Sequence, residues 1–306
     1  MKKVTFLYYR SWAYDILKYL SKLESERKDF FISDVLLPHG LEDDLSFLSA
    51  NTSIHYVDPK NPDDLIKVVQ ESETKLLFCY SWSWFIPEKL IDQCICLCLH
   101  PSKLPKYRGG SPIQNQVFDS QFDSAVSVIK MSAKIDAGPI YKQLPMTLHG
   151  TIENIFSSMS ALGKVITKDL ISDYIGNNLN FYEQNHNEAT ILKRRKPENS
   201  EFIFDELEKM SFIDLEISVN VLNDPYPNFT LITANQKVRF KQVHYFSEIP
   251  QDRECIVLDK NTNIDFKKNP YLEIFLKVKD GFALISQPEY DPLLKEMVPK
   301  KTGRKL

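Results

Sequence analysis

Ile95-Cys96-Leu97-Cys98-Leu99 is apolar at every position, and His100, Pro101, Ser102, Pro105, Arg108, Gly109 and Gly110 follow within eleven residues. A strand that is apolar on both of its alternating faces belongs in the middle of a sheet covered on both sides. The residues after it form a loop suited to keeping one shape at a strand end. Upstream, β-rich runs at 4–8, 30–37, 53–57 and 76–80 alternate with stretches of helical spacing at 13–23 and 63–71. Strand, helix, strand repeated over some hundred residues predicts an α/β fold with a doubly wound, mostly parallel sheet. In such sheets ligands settle outside the carboxyl ends of the strands, where His100 lies.

Downstream, 125–131 and 139–144 read as two more strands, and 151–174 as a long helix. Thr151 can cap that helix, and Ile155, Met159, Leu162, Ile166, Leu170 and Tyr174 fall near one stripe. The chain then turns polar, with an Asn-rich stretch at 177–187. Lys193-Arg194-Arg195-Lys196-Pro197-Glu198-Asn199-Ser200 follows as a charged, proline-containing connection. The boundary is placed at 200, giving domains 1–200 and 201–306. In the second, a helical stretch at 211–223 precedes short β-like runs at 229–232, 237–240, 254–258, 271–277 and 281–285. This predicts a smaller, mostly-β C-terminal domain, barrel or sandwich. Lys300-Lys301-Thr302-Gly303-Arg304-Lys305-Leu306 reads as a mobile basic tail.

Composition narrows the function. The 306 residues carry 38 basic and 41 acidic side chains, a formal charge of −3, so no global basic field holds a nucleic acid. No apolar run reaches the roughly 18–20 residues that cross a bilayer. Five cysteines, three of them alternating in one segment, make no disulfide framework, and a reduced, cytoplasmic setting is expected. Tyr9-Arg10-Ser11-Trp12, after the first strand, has no glycine for a dinucleotide phosphate loop. His39, His55, His149, His186 and His244 show no ligand spacing, so no metal is expected.

The densest chemistry lies between 94 and 140. Cys98 and His100 are two apart on an extended chain and share a face, where thiol and imidazole could form a nucleophile–base pair. Equally, Cys98 could be a small buried hydrophobe and His100 a satisfied loop histidine. Asp136, in Lys134-Ile135-Asp136-Ala137-Gly138-Pro139, could orient a histidine or be a plain turn aspartate. The cluster at 193–196 could meet a phosphate or simply be a solvated linker.

The stretch Cys98-Leu99-His100-Pro101-Ser102-Lys103-Leu104-Pro105-Lys106-Tyr107-Arg108-Gly109-Gly110-Ser111-Pro112-Ile113-Gln114 closely resembles the signature of formyltransferases that use N10-formyltetrahydrofolate. Met131-Ser132-Ala133-Lys134-Ile135-Asp136-Ala137-Gly138-Pro139-Ile140 resembles their second motif, in order and at the expected separation. The resemblance covers about residues 75–175 well. It implies a Rossmann-like catalytic domain with His100 as acid–base group and Asp136 keeping it charged. It further implies donor contacts from Ser83, Phe85, Ile86, Leu104, Ala137 and Gly138, and acceptor contacts from Ser102, Arg108, Gly109 and Gln114. Asn223-Asp224-Pro225-Tyr226-Pro227-Asn228-Phe229 is similar to the turn that opens the second domain.

The linker at 194–200, Gly109 to Gln114, and Leu148-His149-Gly150-Thr151-Ile152 are most similar to the branch acting on nucleotide-linked amino sugars. The implied reaction is formyl transfer to the primary amine of a dTDP- or UDP-linked amino-dideoxy sugar, in polysaccharide biosynthesis. A nucleotide-sugar is then the small-molecule partner, with no nucleic acid and no membrane, and the β-rich C-terminal region could supply a homodimer interface.

One position departs from the pattern. Where the family has an asparagine whose amide binds the formyl oxygen, this chain has Cys98, a weaker donor. Three readings follow. Other donors compensate; or Cys98 attacks as a thiolate in a hydrolase (a formyltetrahydrofolate deformylase being the related alternative); or the fold has become an impaired binder of folate or sugar nucleotide.

Overall fold

Asn61 begins the second helix as a sequence signal would have it. Its side chain accepts from the Asp63 amide, Pro62 stands in the first turn, and Asp63 and Asp64 face the helix dipole. The computed structural model describes residues 1–234, 236–251, 254–261, 272–286 and 288–292. The expected basic tail and the first residue of the run at 271–277 lie outside the described residues. The structure divides into two units, Met1–His149 with Glu153–Arg194, and Gly150–Ile152 with Arg195–Leu306. That division falls at 194/195, a few residues before the boundary set at 200.

The first unit runs β1 (Lys2–Leu7), α1 (Ser11–Arg27), β2 (Phe30–Pro38), β3 (Ser53–Val57), α2 (Pro62–Ser72), β4 (Leu76–Cys79), α3 (Glu88–Gln93) and β5 (Ile95–His100). It continues with β6 (Arg108–Gly109), α4 (Pro112–Phe118), β7 (Asp123–Lys130), β8 (Ile140–Thr147), α5 (Ile152–Ile175) and β9 (Ile191–Leu192). Its seven-stranded sheet has the order β3-β2-β1-β4-β5-β7-β8. The first five strands pair in parallel, whereas β7 and β8 are antiparallel to their neighbours. The fold is therefore α/β with a mostly parallel central sheet.

The reason is visible in the side chains. All four residues of β4 are buried, and all but one of the nine in β2. Such strands need helices on both faces, and the crossovers that supply them join parallel neighbours. Phe6 stacks on Phe78 at 5.7 Å and meets Tyr80 edge-on at 5.6 Å, filling the centre. Asp34, buried on β2, pairs with His55 Nε2 at 2.8 Å on β3. Helix α5 lies close to α1 and β5, because Gly163 carries no side chain. A Cβ there would stand 2.5 Å from Ile16 Cδ1 and 3.0 Å from Leu99 Cδ1.

The second unit contains β10 (Glu201–Ile203), α6 (Phe204–Leu207), α7 (Phe212–Val221), β11 (Thr230–Ile232), β12 (Gln236–Arg239), β13 (Gln242–Phe246), β14 (Cys255–Leu258), β15 (Glu273–Val278), β16 (Gly281–Ser286) and β17 (Glu289–Pro292). They form two four-stranded sheets, β10-β11-β12-β17 and β13-β16-β15-β14. This is the smaller, mostly-β region expected. Phe229 stacks on Phe202 at 4.3 Å and touches Phe240 at 5.0 Å in its core.

Valine at position 163 puts two methyls where none fits. Overpacking of this kind costs about 1–3 kcal/mol. Gly163→Val is expected to lower the unfolding free energy by about that amount, read in urea as a lower midpoint with an unchanged slope. An unaltered midpoint would show that α5 can shift freely.

Candidate active site

The loop after β5 is held almost entirely by its own backbone and by neighbours that sequence spacing does not reveal. Ser102 Oγ donates to the Lys106 carbonyl at 2.7 Å, and the Ser102 carbonyl accepts from Ser127 Oγ at 2.5 Å. Gln116 donates to the Pro101 carbonyl at 2.8 Å and Gln143 to the Leu104 carbonyl at 3.0 Å. Beyond Leu104 the chain meets the segment that follows α5. The Tyr107 amide donates to Thr190 Oγ1 at 2.7 Å, the Arg108 amide to the Thr190 carbonyl at 2.9 Å, and β6 pairs in parallel with β9. Gly109 has φ +94, and a Cβ on it would run into the Leu192 carbonyl, so only glycine fits there.

This scaffold fixes an imidazole from two sides. His100, at the end of β5 and 5% exposed, approaches the Tyr107 carbonyl with Nε2 at 2.8 Å. Its Nδ1 faces Asp136 Oδ2 at 3.5 Å. Asp136 comes from the connection between β7 and β8, has φ +49, and accepts from the Gly109 amide at 2.7 Å. The backbone carbonyl accepts only, so Nε2 carries the hydrogen, and Nδ1 is left facing the carboxylate. Protonation at Nδ1 would satisfy that carboxylate as well.

Cys98 is half-buried against Leu104, Ile129 and Ile140. Burial pushes its thiol up from the ordinary value, and the Asp136 charge adds to the rise. At neutral pH it is therefore a protonated thiol. The expected nucleophile–base pair lacks its thiolate, because a neighbouring carboxylate opposes the charge that an adjacent cation would be needed to stabilise.

Three residues expected to meet the acceptor are placed elsewhere. Ser102, Arg108 and Gln114 are 0%, 4% and 2% exposed. Ser102 closes the loop on itself. The Arg108 guanidinium lies on Gln184 Oε1, from Nε at 3.1 Å and Nη2 at 2.6 Å, and on His186 Nδ1 at 3.0 Å. Burial pulls it down from its usual range, and Asp136 opposes the pull. Ser102 and Arg108 are spent on holding the loop, and Gln114 is buried within α4. Gly109, the fourth, offers its amide to Asp136.

The residues expected around the donor fall in two places. Leu104 lies beside Cys98, Ala137 is buried next to Asp136, and Gly138 packs on the Lys130 carbonyl. Ser83 and Phe85 line a hollow of about 460 Å³ shared with Trp82, Trp84, Pro59 and Lys60, while Ile86 is buried in the adjoining core. Phe85 is 85% exposed on the rim of that hollow, and Trp82 Nε1 is buried without a hydrogen-bond partner. Aromatic walls with an unspent donor suit a flat heterocycle. Among the described residues no cluster could hold a metal ion, and no helix is long and apolar enough to cross a membrane.

Gln184, His186 and Thr190 were not expected. They come from the polar segment after α5, and nothing in their spacing marks them.

Residues 48–167 match the Formyl transferase family. That matched segment holds both His100 and Asp136. The chain is 25% identical over 292 residues to a methionyl-tRNA formyltransferase of Mesoplasma florum, covering 90% of each protein. Its fold is similar to that of HypX from Aquifex aeolicus solved with tetrahydrofolic acid, with a TM-score of 0.67 and 12% identity over 95% of this chain and 46% of that one. It is also similar to a 4-N formyltransferase from Francisella tularensis, with a TM-score of 0.61 and 19% identity over 76% of this chain and 92% of that one.

The thiol chemistry can be checked directly. At pH 7.5, iodoacetamide is expected to modify Cys98 of the native protein no faster than Cys255, as read by peptide mass spectrometry. Selective, rapid labelling of Cys98 would mean that its thiolate is populated after all.

Proposed function

We propose that this protein uses His100 and Asp136 to pass a formyl group from N10-formyltetrahydrofolate to the primary amine of a nucleotide-linked amino-dideoxy sugar. The observation that carries the reaction is the imidazole held between the Tyr107 carbonyl and the Asp136 carboxylate at the end of β5. The donor supplies the activated formyl carbon. The 2.8 Å bond at Nε2 fixes the ring. The 3.5 Å approach at Nδ1 is too long for a strong bond and leaves that nitrogen free to exchange a proton. Asp136 stabilises the positive ring and so makes the proton available to a departing nitrogen. It is itself held by the Gly109 amide, which keeps the carboxylate aimed at the ring.

Cys98 stands where the resemblance expects an amide. Its S–H is a weak donor and offers little to an oxyanion, and losing one such donor typically costs about 2.7–4 kcal/mol of transition-state stabilisation. A rising thiol pKa also speaks against the hydrolase in which Cys98 attacks. Formyl transfer with compensation by other donors is therefore favoured over the thiolate reading.

For the acceptor, support comes from the formal charge of −3, which suits a small nucleotide-sugar better than a large polyanion. The linker and loop likeness to the amino-sugar branch points the same way. A second reading, methionyl-tRNA as acceptor, is favoured by the similarity to the Mesoplasma florum protein over nearly the whole chain. The expected result is consumption of N10-formyltetrahydrofolate with dTDP- or UDP-linked amino sugars and none with methionyl-tRNA. Turnover only with the tRNA would replace the sugar reading.

With the sugar acceptor, His100→Ala is expected to lower kcat by about 10²–10⁴-fold. Cys98→Asn is expected to keep or raise kcat; a collapse would give the thiol a chemical role. The amine must attack uncharged, so kcat/KM is expected to fall with unit slope below the amine's pKa. A flat acid profile would argue against an amine nucleophile.

A further inference from the structure

Gln184 lies in no recognisable motif, yet all of its side-chain hydrogen-bonding capacity is committed inside the site. Its Nε2 donates to the Asp136 carbonyl at 2.9 Å and to the Gly138 carbonyl at 2.6 Å. Its Oε1 accepts twice from the Arg108 guanidinium, at 3.1 Å and 2.6 Å. Two amide hydrogens and two lone pairs are thus all used, and the residue is 5% exposed. The orientation of the amide is fixed as well. Reversed, it would aim hydrogens at a guanidinium and its oxygen at two carbonyls.

We infer that Gln184 is a positioning residue that sets the distance between Asp136 and His100. This role for Gln184 rests on the acid–base roles proposed above for those two groups, which it holds in register. Asp136 has left-handed φ, a conformation an aspartate keeps only with support, and the Gln184 amide grips a carbonyl at Asp136 and another two residues on. On its other side the same amide grips Arg108, which is flanked by the two groups that matter. Tyr107 presents the carbonyl that anchors His100 Nε2, and Gly109 presents the amide that holds Asp136 Oδ2. One neutral side chain therefore ties together the two oxygens that flank the imidazole. His186 Nδ1 supports Arg108 from outside this arrangement.

Neutrality is part of the role. A carboxylate at position 184 would satisfy Arg108 but would turn oxygens toward the Asp136 and Gly138 carbonyls and place a second negative charge near Asp136. A methionine would fill the volume and serve neither side. Asparagine is one methylene too short to reach both partners.

The test uses the full chain with Gln184→Glu and Gln184→Met, and Asp136→Asn as the reference. With N10-formyltetrahydrofolate and a dTDP-linked amino sugar, each Gln184 variant is expected to lose about 10–100-fold in kcat. The KM for the donor should stay within threefold, as for a displaced rather than a missing group. A general loss of structure would not produce that split. The second readout needs no acceptor. In ¹⁵N-labelled protein, the His100 ring nitrogen resonances are expected to leave their wild-type positions in both variants, in the direction seen with Asp136→Asn. If those resonances stay at wild-type positions in Gln184→Glu while Asp136→Asn moves them, the inference is overturned, whatever the acceptor. A Gln184→Glu kcat within threefold of wild type would also overturn it. If the wild type turns over no amino sugar, the acceptor reading fails and the resonances alone decide the role of Gln184.

Discussion

An imidazole clasped between a backbone carbonyl and a carboxylate is the constraint around which the first unit is arranged. His100 can sit there only because β5 ends at a fixed point and because the chain after it turns back within seven residues to offer the Tyr107 carbonyl. That return is costly to hold in place. It passes through Tyr107 at φ +58 and Gly109 at φ +94, and it is fastened along its length by Ser102, Gln116, Gln143 and Thr190. The two antiparallel strands beyond β5 complete the arrangement, since the connection between them carries Asp136 to the ring. The parallel half of the sheet supplies rigidity and the antiparallel half supplies the acid.

This organisation explains why buried polar groups collect around His100. Arg108 is a cation almost without solvent, and its partners are a neutral amide and an imidazole, with the Asp136 charge nearby. A direct Arg108–Asp136 pair would draw the carboxylate away from His100. Placing Gln184 between them keeps the favourable field while leaving the carboxylate oxygen for the ring. Burial disfavours ionisation of Cys98 and the same field adds to it, so the residue that departs from the family pattern stays in its neutral form.

Much of this was legible in the chain, and the limits have physical causes. The parallel core strands announce themselves because burial on two faces demands unbroken apolar runs, as in residues 76–79 and 95–99. His100 and Asp136 stand out because a titratable residue at a strand end or a glycine-rich turn has few other reasons to be there. Helices α3 and α4 did not stand out. They are only six and seven residues long, and α4 is hidden in a loop dense with glycine and proline. β13, with three of its five residues exposed or nearly so, has too weak an alternation to be read. Ser102, Arg108 and Gln114 read as ligand contacts yet are buried, because a motif shows which residue types matter but not which way they face. Gln184 was invisible for the opposite reason, lying nearly fifty residues from Asp136 in a stretch whose polarity signals exposure.

The hollow beside Phe85 has one more consequence. The chain has three tryptophans, and two of them, Trp82 and Trp84, line that hollow with their rings 5.2 Å apart, while Trp12 is buried in α1. Two of the three indoles, the side chains that absorb and emit most strongly in a protein, therefore share one opening. Anything aromatic that enters it will be seen in the fluorescence, so the protein carries its own optical gauge of occupancy.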